Sequence, residues 1–388
     1  CTECGRCQSQ CPAWHTEKPL SPKLLIMAMR DHALAKIGTD KAQDKIVGSA
    51  HENAISLDVL WSCTTCGACV EECPVDIEHV DHIVNMRRFQ VLVESEFPTE
   101  LGNTFRNLEK AGNPWGANRT DRDAWIAEVD FPITVIDSVI PEDVEYLFWV
   151  GCAGSFDDRA KKITKAVVKI LNKCQVDFAV LGSEESCTGD PAKRAGNEFT
   201  FQMQAMMNIE VLNAYEVKKI VTACPHCFNT LKNEYPELGG NYEVIHHTQL
   251  IQDLINTGKL ALEGGETFKG KKITFHDPCY LGRANDVYEA PRSLIEKLDA
   301  ELVEMKRCKT NGLCCGAGGA QMFKEAEKGL KEINVERTED ALDTKAEIIA
   351  TGCPFCNTMM TDGVKNFEKE ATVKVLDVAE LIANAADL

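Results

Sequence analysis

Residues 311–319 read Asn-Gly-Leu-Cys-Cys-Gly-Ala-Gly-Gly, and the adjacent Cys314–Cys315 pair decides how the chain is divided. Ser186-Cys187-Thr188-Gly189-Asp190 stands 127 residues earlier, with a Thr where the later stretch has its second Cys. The flanking sequence keeps the same register. "EYLFWVGC" ends at Cys152 and "KKITFHDPC" at Cys279, again 127 apart. "KKIVTACPHCFNTL" (218–231) matches "AEIIATGCPFCNTMM" (346–360) at an offset of 129. "YEVIHHTQLIQDLI" (242–255) matches "VKVLDVAELIANA" (373–385). Two unrelated motifs would not hold such spacing, so the chain contains a tandem repeat.

Each repeat alternates short β-branched runs with longer amphipathic stretches. That pattern predicts α/β units with a mainly parallel sheet and cysteines at the strand ends. The expected organisation is α+β overall. A helical two-cluster ferredoxin-type domain spans 1–92 and a linker spans 93–145. The first cysteine-rich repeat spans 146–262 and the second 268–388. "SPKLLIMAMRDHALAKI" (21–37) and "IEHVDHIVNMRRFQVLV" (77–93) predict helices in the first domain, and "GNPWGANRTDRDAW" (112–125) has loop chemistry.

A net charge of −18 argues against nucleic acid and anionic lipid as partners. No apolar run approaches the ~20 residues of a membrane span. The first residue, Cys1, already belongs to a motif, from which we expect a fragment of a longer polypeptide. Nineteen cysteines cluster in short runs that suit shared metal centres better than loop-closing disulfides, which predicts a reducing, cytosol-facing metalloprotein.

The first domain holds Cys1-x2-Cys4-x2-Cys7-x3-Cys11-Pro and Cys63-x2-Cys66-x2-Cys69-x3-Cys73-Pro. In such runs three close thiolates hold one 4Fe–4S cubane, and the fourth, before Pro, ligates the other cluster. Cluster A is therefore assigned to Cys1, Cys4, Cys7 and Cys73, and cluster B to Cys63, Cys66, Cys69 and Cys11. Gly5 and Gly67 suit a backbone that passes close to a cluster. Zinc, which takes four ligands usually as two separated pairs, fits these runs poorly.

In the second repeat Cys279, Cys314, Cys315, Cys353 and Cys356 offer five thiolates, one more than a cubane or a zinc ion takes. The first repeat offers four, Cys152, Cys187, Cys224 and Cys227, with Thr188 in place of the fifth. That set suits a cubane, a smaller iron–sulfur cluster or zinc, with iron–sulfur preferred. Cys174 and Cys308 have no counterpart and read as small buried hydrophobes. His246 and His276 are candidates to hydrogen-bond a cluster sulfur or carry a proton, as is Thr188 to touch the first-repeat site; His247 reads as structural. No catalytic residue is assigned, and no Gly-x-Gly-x-x-Gly follows a strand.

The "C…CCG…CPxC" arrangement resembles the cysteine-rich domain of heterodisulfide reductase catalytic subunits. It is similar also to the iron–sulfur subunits of glycolate, lactate and anaerobic glycerol-3-phosphate dehydrogenases. The resemblance implies a non-cubane 4Fe–4S cluster on the five cysteines of the second repeat. "CTECGRCQSQCPAWHTEKPLSPKL", "GNPWG", "FWVGCAGSFDDRAKK", "CTGDPAKRAGNEF" and "HDPCYLGRANDVYEAPR" look closer to one branch than to the others, the membrane-associated electron-transfer-flavoprotein:menaquinone oxidoreductases. That likeness implies an oxidoreductase needing an N-terminal membrane domain with haem b. Electrons would pass from a reduced electron transfer flavoprotein toward menaquinone, at the cytoplasmic face of the membrane. The alternatives are a thiol/disulfide enzyme of the heterodisulfide reductase kind and the iron–sulfur subunit of a glycolate- or lactate-type dehydrogenase.

Overall fold

The structure, a computed structural model, describes residues 1–37, 45–48, 54–137, 141, 144–262 and 267–388. Residues 138–140 and 142–143 of the expected linker lie outside the described residues, as do 38–44 and 49–53 of the helical insert and 263–266 at the boundary between the repeats.

The architecture is α+β: a helical unit carrying the ferredoxin-type pattern, followed by two α/β units. In the first unit, helix Pro22–Lys36 starts where Ser-Pro predicted, with Ser21 Oγ accepting from Leu24 N at 3.2 Å and Pro22 in the first turn. Helix His79–Phe89 runs on through a π-helical turn to Glu94.

The first parallel sheet takes β1 (Thr134–Val135), β2 (Tyr146–Trp149), β3 (Phe178–Val180), β4 (Lys219–Thr222) and β5 (Glu243–His246), in the order β1-β3-β2-β4-β5. The second takes β6 (Lys272–Phe275), β7 (Glu301–Leu302), β8 (Ile348–Thr351) and β9 (Lys374–Asp377), in the order β7-β6-β8-β9. Leaving out β1, the orders are the same. So is the register: Leu147 pairs with Ile220 as Thr274 pairs with Ile349, which are the positions reached by adding 127 and 129. Strand β8 is buried throughout, as a parallel strand covered on both faces should be.

The stretch 93–145 is built into the fold. It forms helix Thr99–Ala111, and its β1 pairs in parallel with β3. Past the helix, Gly112 O accepts from Cys187 N at 2.7 Å, so this segment closes over a candidate ligand.

The two repeats share one core. Helix Asp158–Lys173 packs on Val378–Ala385, and His247–Asn256 on Glu289–Glu296. Val167, Ile170, Leu254, Leu294 and Leu381 are buried together there. His247 Nε2 lies 2.9 Å from Asp377 Oδ1 with both side chains fully buried, tying one repeat to the other.

The ferredoxin-type unit is seated on both repeats by Arg87. Its buried guanidinium donates to Leu60 O, Cys63 O, Arg194 O and Gly319 O at 2.8–3.2 Å. Gly318 and Gly319 complete the seat. A Cβ at Gly319 would fall 2.4 Å from Cys63 O, and one at Gly318 would fall 2.5 Å from Thr64 O. The Gly-rich run after Cys315 therefore meets the backbone of the neighbouring unit.

Candidate metal centres

All nineteen cysteines are free thiols, and the seventeen candidate ligands fall into four neighbouring groups. Cys1, Cys4, Cys7 and Cys73 line one cavity together with Gly5 and His79. Cys11, Cys63, Cys66 and Cys69 line a second. The structure thus brings each close triplet together with the distant fourth Cys assigned to it from the motif. Gly5 (φ +82°) and Gly67 (φ +76°) both adopt the left-handed conformation just before a short helix. That turn carries the chain past the cavity and costs a glycine little. Cys1 and Cys4 are exposed, whereas the second cavity is enclosed by the fold.

Cys152, Cys187, Cys224 and Cys227 line a third cavity, and buried Thr188 lies on its wall. Cys152 lies beside Cys187, and Cys224 beside Cys227. Beside them sits a buried ion pair that sequence reasoning missed. Arg122, from the 112–125 segment, bonds Glu185 and places Nη2 3.3 Å from Cys152 Sγ. Glu185 in turn accepts from Val150 N and Gly151 N, both at 2.9 Å. The Cys187 contact and the Arg122 charge together hold the Cys152 thiol below its ordinary range, against burial. The only sequence signal for this pair was two charges inside otherwise loop-like or apolar stretches.

A second missed group crosses from this cavity to the other repeat. His226, inside Cys224-Pro-His-Cys227, places Nδ1 3.0 Å from Asp190 Oδ2. Burial disfavours its charge, but Asp190 outweighs burial and raises the His226 pKa. The His226 ring packs on Tyr280 with centroids 4.3 Å apart, and Tyr280 Oη lies 3.0 Å from Thr65 Oγ1.

In the second repeat Cys314 and Cys315 touch each other and reach in two directions. Cys314 contacts Cys279 and also Cys66, while Cys315 Sγ lies 3.4 Å from Cys356 Sγ. Cys353 contacts Cys356 and, across the repeats, Cys224. All five are buried, with Cys353 1% and Cys314 2% exposed. His276 lies with Cys315 and Cys356 such that one ring nitrogen and both sulfurs are within 4.8 Å of one another.

Of the other candidates, His246 stands against Gly352, the neighbour of Cys353. His246 caps the helix that follows it, with Nδ1 2.8 Å from Thr248 Oγ1 and its backbone N donating to Gln249 Oε1. Asp377 caps the equivalent helix of the second repeat. Cys174 is buried in the shared core, and Cys308 is half-buried.

The residues present suit iron–sulfur groups. The donor sets are all thiol, and the first three line cavities of their own. Burial pushes several of these thiols up, Cys63 to about 11, where a metal would take the proton's place, while neighbouring thiols hold others such as Cys224 and Cys315 down.

Comparison with known proteins agrees with this layout. Residues 1–77 match the family described as 4Fe-4S dicluster domain, and residues 146–232 and 273–361 each match the one described as Cysteine-rich domain. A subunit of the dihydromethanophenazine:CoB–CoM heterodisulfide reductase of Methanosarcina barkeri is 31% identical over all of this chain and 94% of its own length. The chain belongs to the family of that iron–sulfur reductase subunit. Two longer relatives are more similar to it. The EtfAB:quinone oxidoreductase of Syntrophomonas wolfei is 41% identical over the whole chain, which spans 58% of that protein. A probable membrane-anchored ferredoxin of Chromohalobacter salexigens is also 41% identical, with 59% of its length covered. This chain thus spans about three-fifths of the longer relatives. Among the described residues no helix is long and apolar enough to cross a membrane.

Proposed function

We propose that this chain is the iron–sulfur relay of an oxidoreductase that passes electrons from a reduced electron transfer flavoprotein toward membrane menaquinone. The single observation that carries the reading is the contiguity of the four thiol groups. Cys224 lies beside Cys353, Cys314 lies beside Cys66, and Cys69 is within electrostatic range of Cys7, so the groups neighbour one another in the order first repeat, second repeat, cluster B, cluster A. Two 4Fe–4S cubanes, a non-cubane 4Fe–4S cluster and a further iron–sulfur cluster (zinc being the alternative in the first repeat) would supply one-electron transfer when bound. The protein's own residues set the spacing, exclude water from the middle of the row and leave its ends near the surface. Cys1 and Cys4 are exposed at one end and Cys227 is partly so at the other. The flavoprotein is proposed to dock at the first-repeat end, at the cytoplasmic face of the membrane. The quinone site and haem b are proposed to lie in a membrane part outside this chain; one longer relative's name includes quinone and the other's a membrane anchor.

One observation favours a second reading, a thiol/disulfide enzyme of the kind the heterodisulfide reductase name describes. Cys66 and Cys279 line an open cleft of about 440 Å³ between the ferredoxin-type unit and the second repeat. Anaerobic mixing of the iron-loaded protein with reduced electron transfer flavoprotein separates the two. Rapid bleaching of the cluster absorbance, followed by menaquinone reduction in vesicles holding the full-length protein, is expected. Oxidation of the dithionite-reduced protein by a small disulfide, with no response to the flavoprotein, would favour the second reading.

A further inference from the structure

His276 follows β6 directly, and its backbone N donates to Ala350 O at 2.9 Å, so the base of the side chain is fixed at the strand end. Its ring is buried, and Arg337 Nε donates to Nδ1 at 3.0 Å. A guanidinium N–H can only donate, so Nδ1 must present its lone pair. The ring's proton then sits on Nε2, and the same bond excludes the doubly protonated form. Arg337 is itself held. It is fully buried, with Nη1 bonded to Arg307 O at 2.6 Å and to Asp340 Oδ2 at 3.2 Å. With Nδ1 engaged, Nε2 is the free ring nitrogen; it has no protein partner, and the ring stands against Cys315 and Cys356.

We infer that Arg337 locks His276 as an Nε2–H donor to the sulfur of the Cys315/Cys356 site, and that His276 is therefore a positioning residue and not a metal ligand. Ligation through Nε2 would need the proton on Nδ1, where it would face the Arg337 N–H. The first repeat carries a different donor here. Trp149 occupies the equivalent position, since 149 + 127 = 276, and its indole Nε1–H is donor-only and likewise buried without a protein partner.

This inference rests on a cluster being held by the second repeat. Hydrogen bonds to cluster sulfur stabilise the reduced, more negative state and raise the potential. The test is redox titration of the full-length, iron-loaded protein, followed by paramagnetic resonance. His276→Leu is expected to weaken the preference for the reduced state of the second-repeat centre about tenfold, a fall of about 59 mV for a one-electron couple. His276→Gln, which keeps an amide N–H in that direction, should recover most of the shift, and the other centres should not move. In wild-type protein carrying 15N-histidine, electron–nuclear double resonance should find an exchangeable proton near that centre and no directly bonded nitrogen. That measurement decides the matter even where a variant fails to fold. A strong nitrogen coupling, or an unmoved potential in His276→Leu with its cluster intact, overturns the inference alone. Absence of iron from the wild-type second repeat overturns the relay reading with it.

Discussion

The two cysteine-rich repeats have one fold and two different sites. Strand order and register are the same, yet the position after the shared Cys is Cys315 in one and Thr188 in the other. The five-thiol site is buried among the second repeat, Cys224 of the first and Cys66 of the ferredoxin-type unit. The four-thiol site lines a cavity and has Arg122 and Glu185 beside it. The fold thus sets where the thiols gather, while the residues after the strands set how many gather there.

The largest expected effect falls on the fifth ligand. Cys315→Ser should cost the second repeat its centre, lowering iron by roughly four per chain while both cubane signals persist. Thr188→Cys is the reciprocal change and should alter the spectrum of the first-repeat centre alone. Equal iron in wild type and Cys315→Ser would remove the distinction between the repeats.

The charge pair comes next. Arg122→Met leaves Glu185 buried without its cation, and loss of about 3–5 kcal/mol is expected in denaturant unfolding. The second repeat has its own buried pair, Asp277 with Arg292 at 2.7 and 3.0 Å, so a matching loss in Arg292→Met with no effect on first-repeat signals would sharpen the comparison.

Gly319→Ala should cost about 1–3 kcal/mol, since its Cβ would meet Cys63 O and its φ of +66° disfavours a side chain. It should also slow transfer between the second repeat and cluster B, measured by reduction kinetics. An unchanged rate would mean that the seat does not set their approach. The smallest effect is at a helix cap. Asp377→Ala should cost about 1–2 kcal/mol in thermal unfolding, because it removes a cap and the partner of His247.

Much of this was legible in the sequence because sulfur ligation depends on short spacings. The two Cys-x2-Cys-x2-Cys-x3-Cys-Pro runs and the repeat offsets carry their own geometry, and Ser21-Pro22 marks its helix by local chemistry. What could not be read depends on long-range approach. Nothing local in "GNPWGANRTDRDAW" says that Arg122 reaches Cys152, or that β1 adds a strand to the first sheet. Nor does spacing within either repeat reveal the contact of Cys224 with Cys353, or of Cys314 with Cys66. His276 was visible as a histidine near a ligand, but only the fold supplies Arg337, which assigns its proton.

The most direct test of the row of centres is iron and sulfide analysis of the anaerobically purified protein, with Mössbauer spectroscopy to sort the iron by site. The account predicts about sixteen irons per chain in four spectroscopically distinct 4Fe–4S environments. About eight irons, confined to the ferredoxin-type unit, would contradict it.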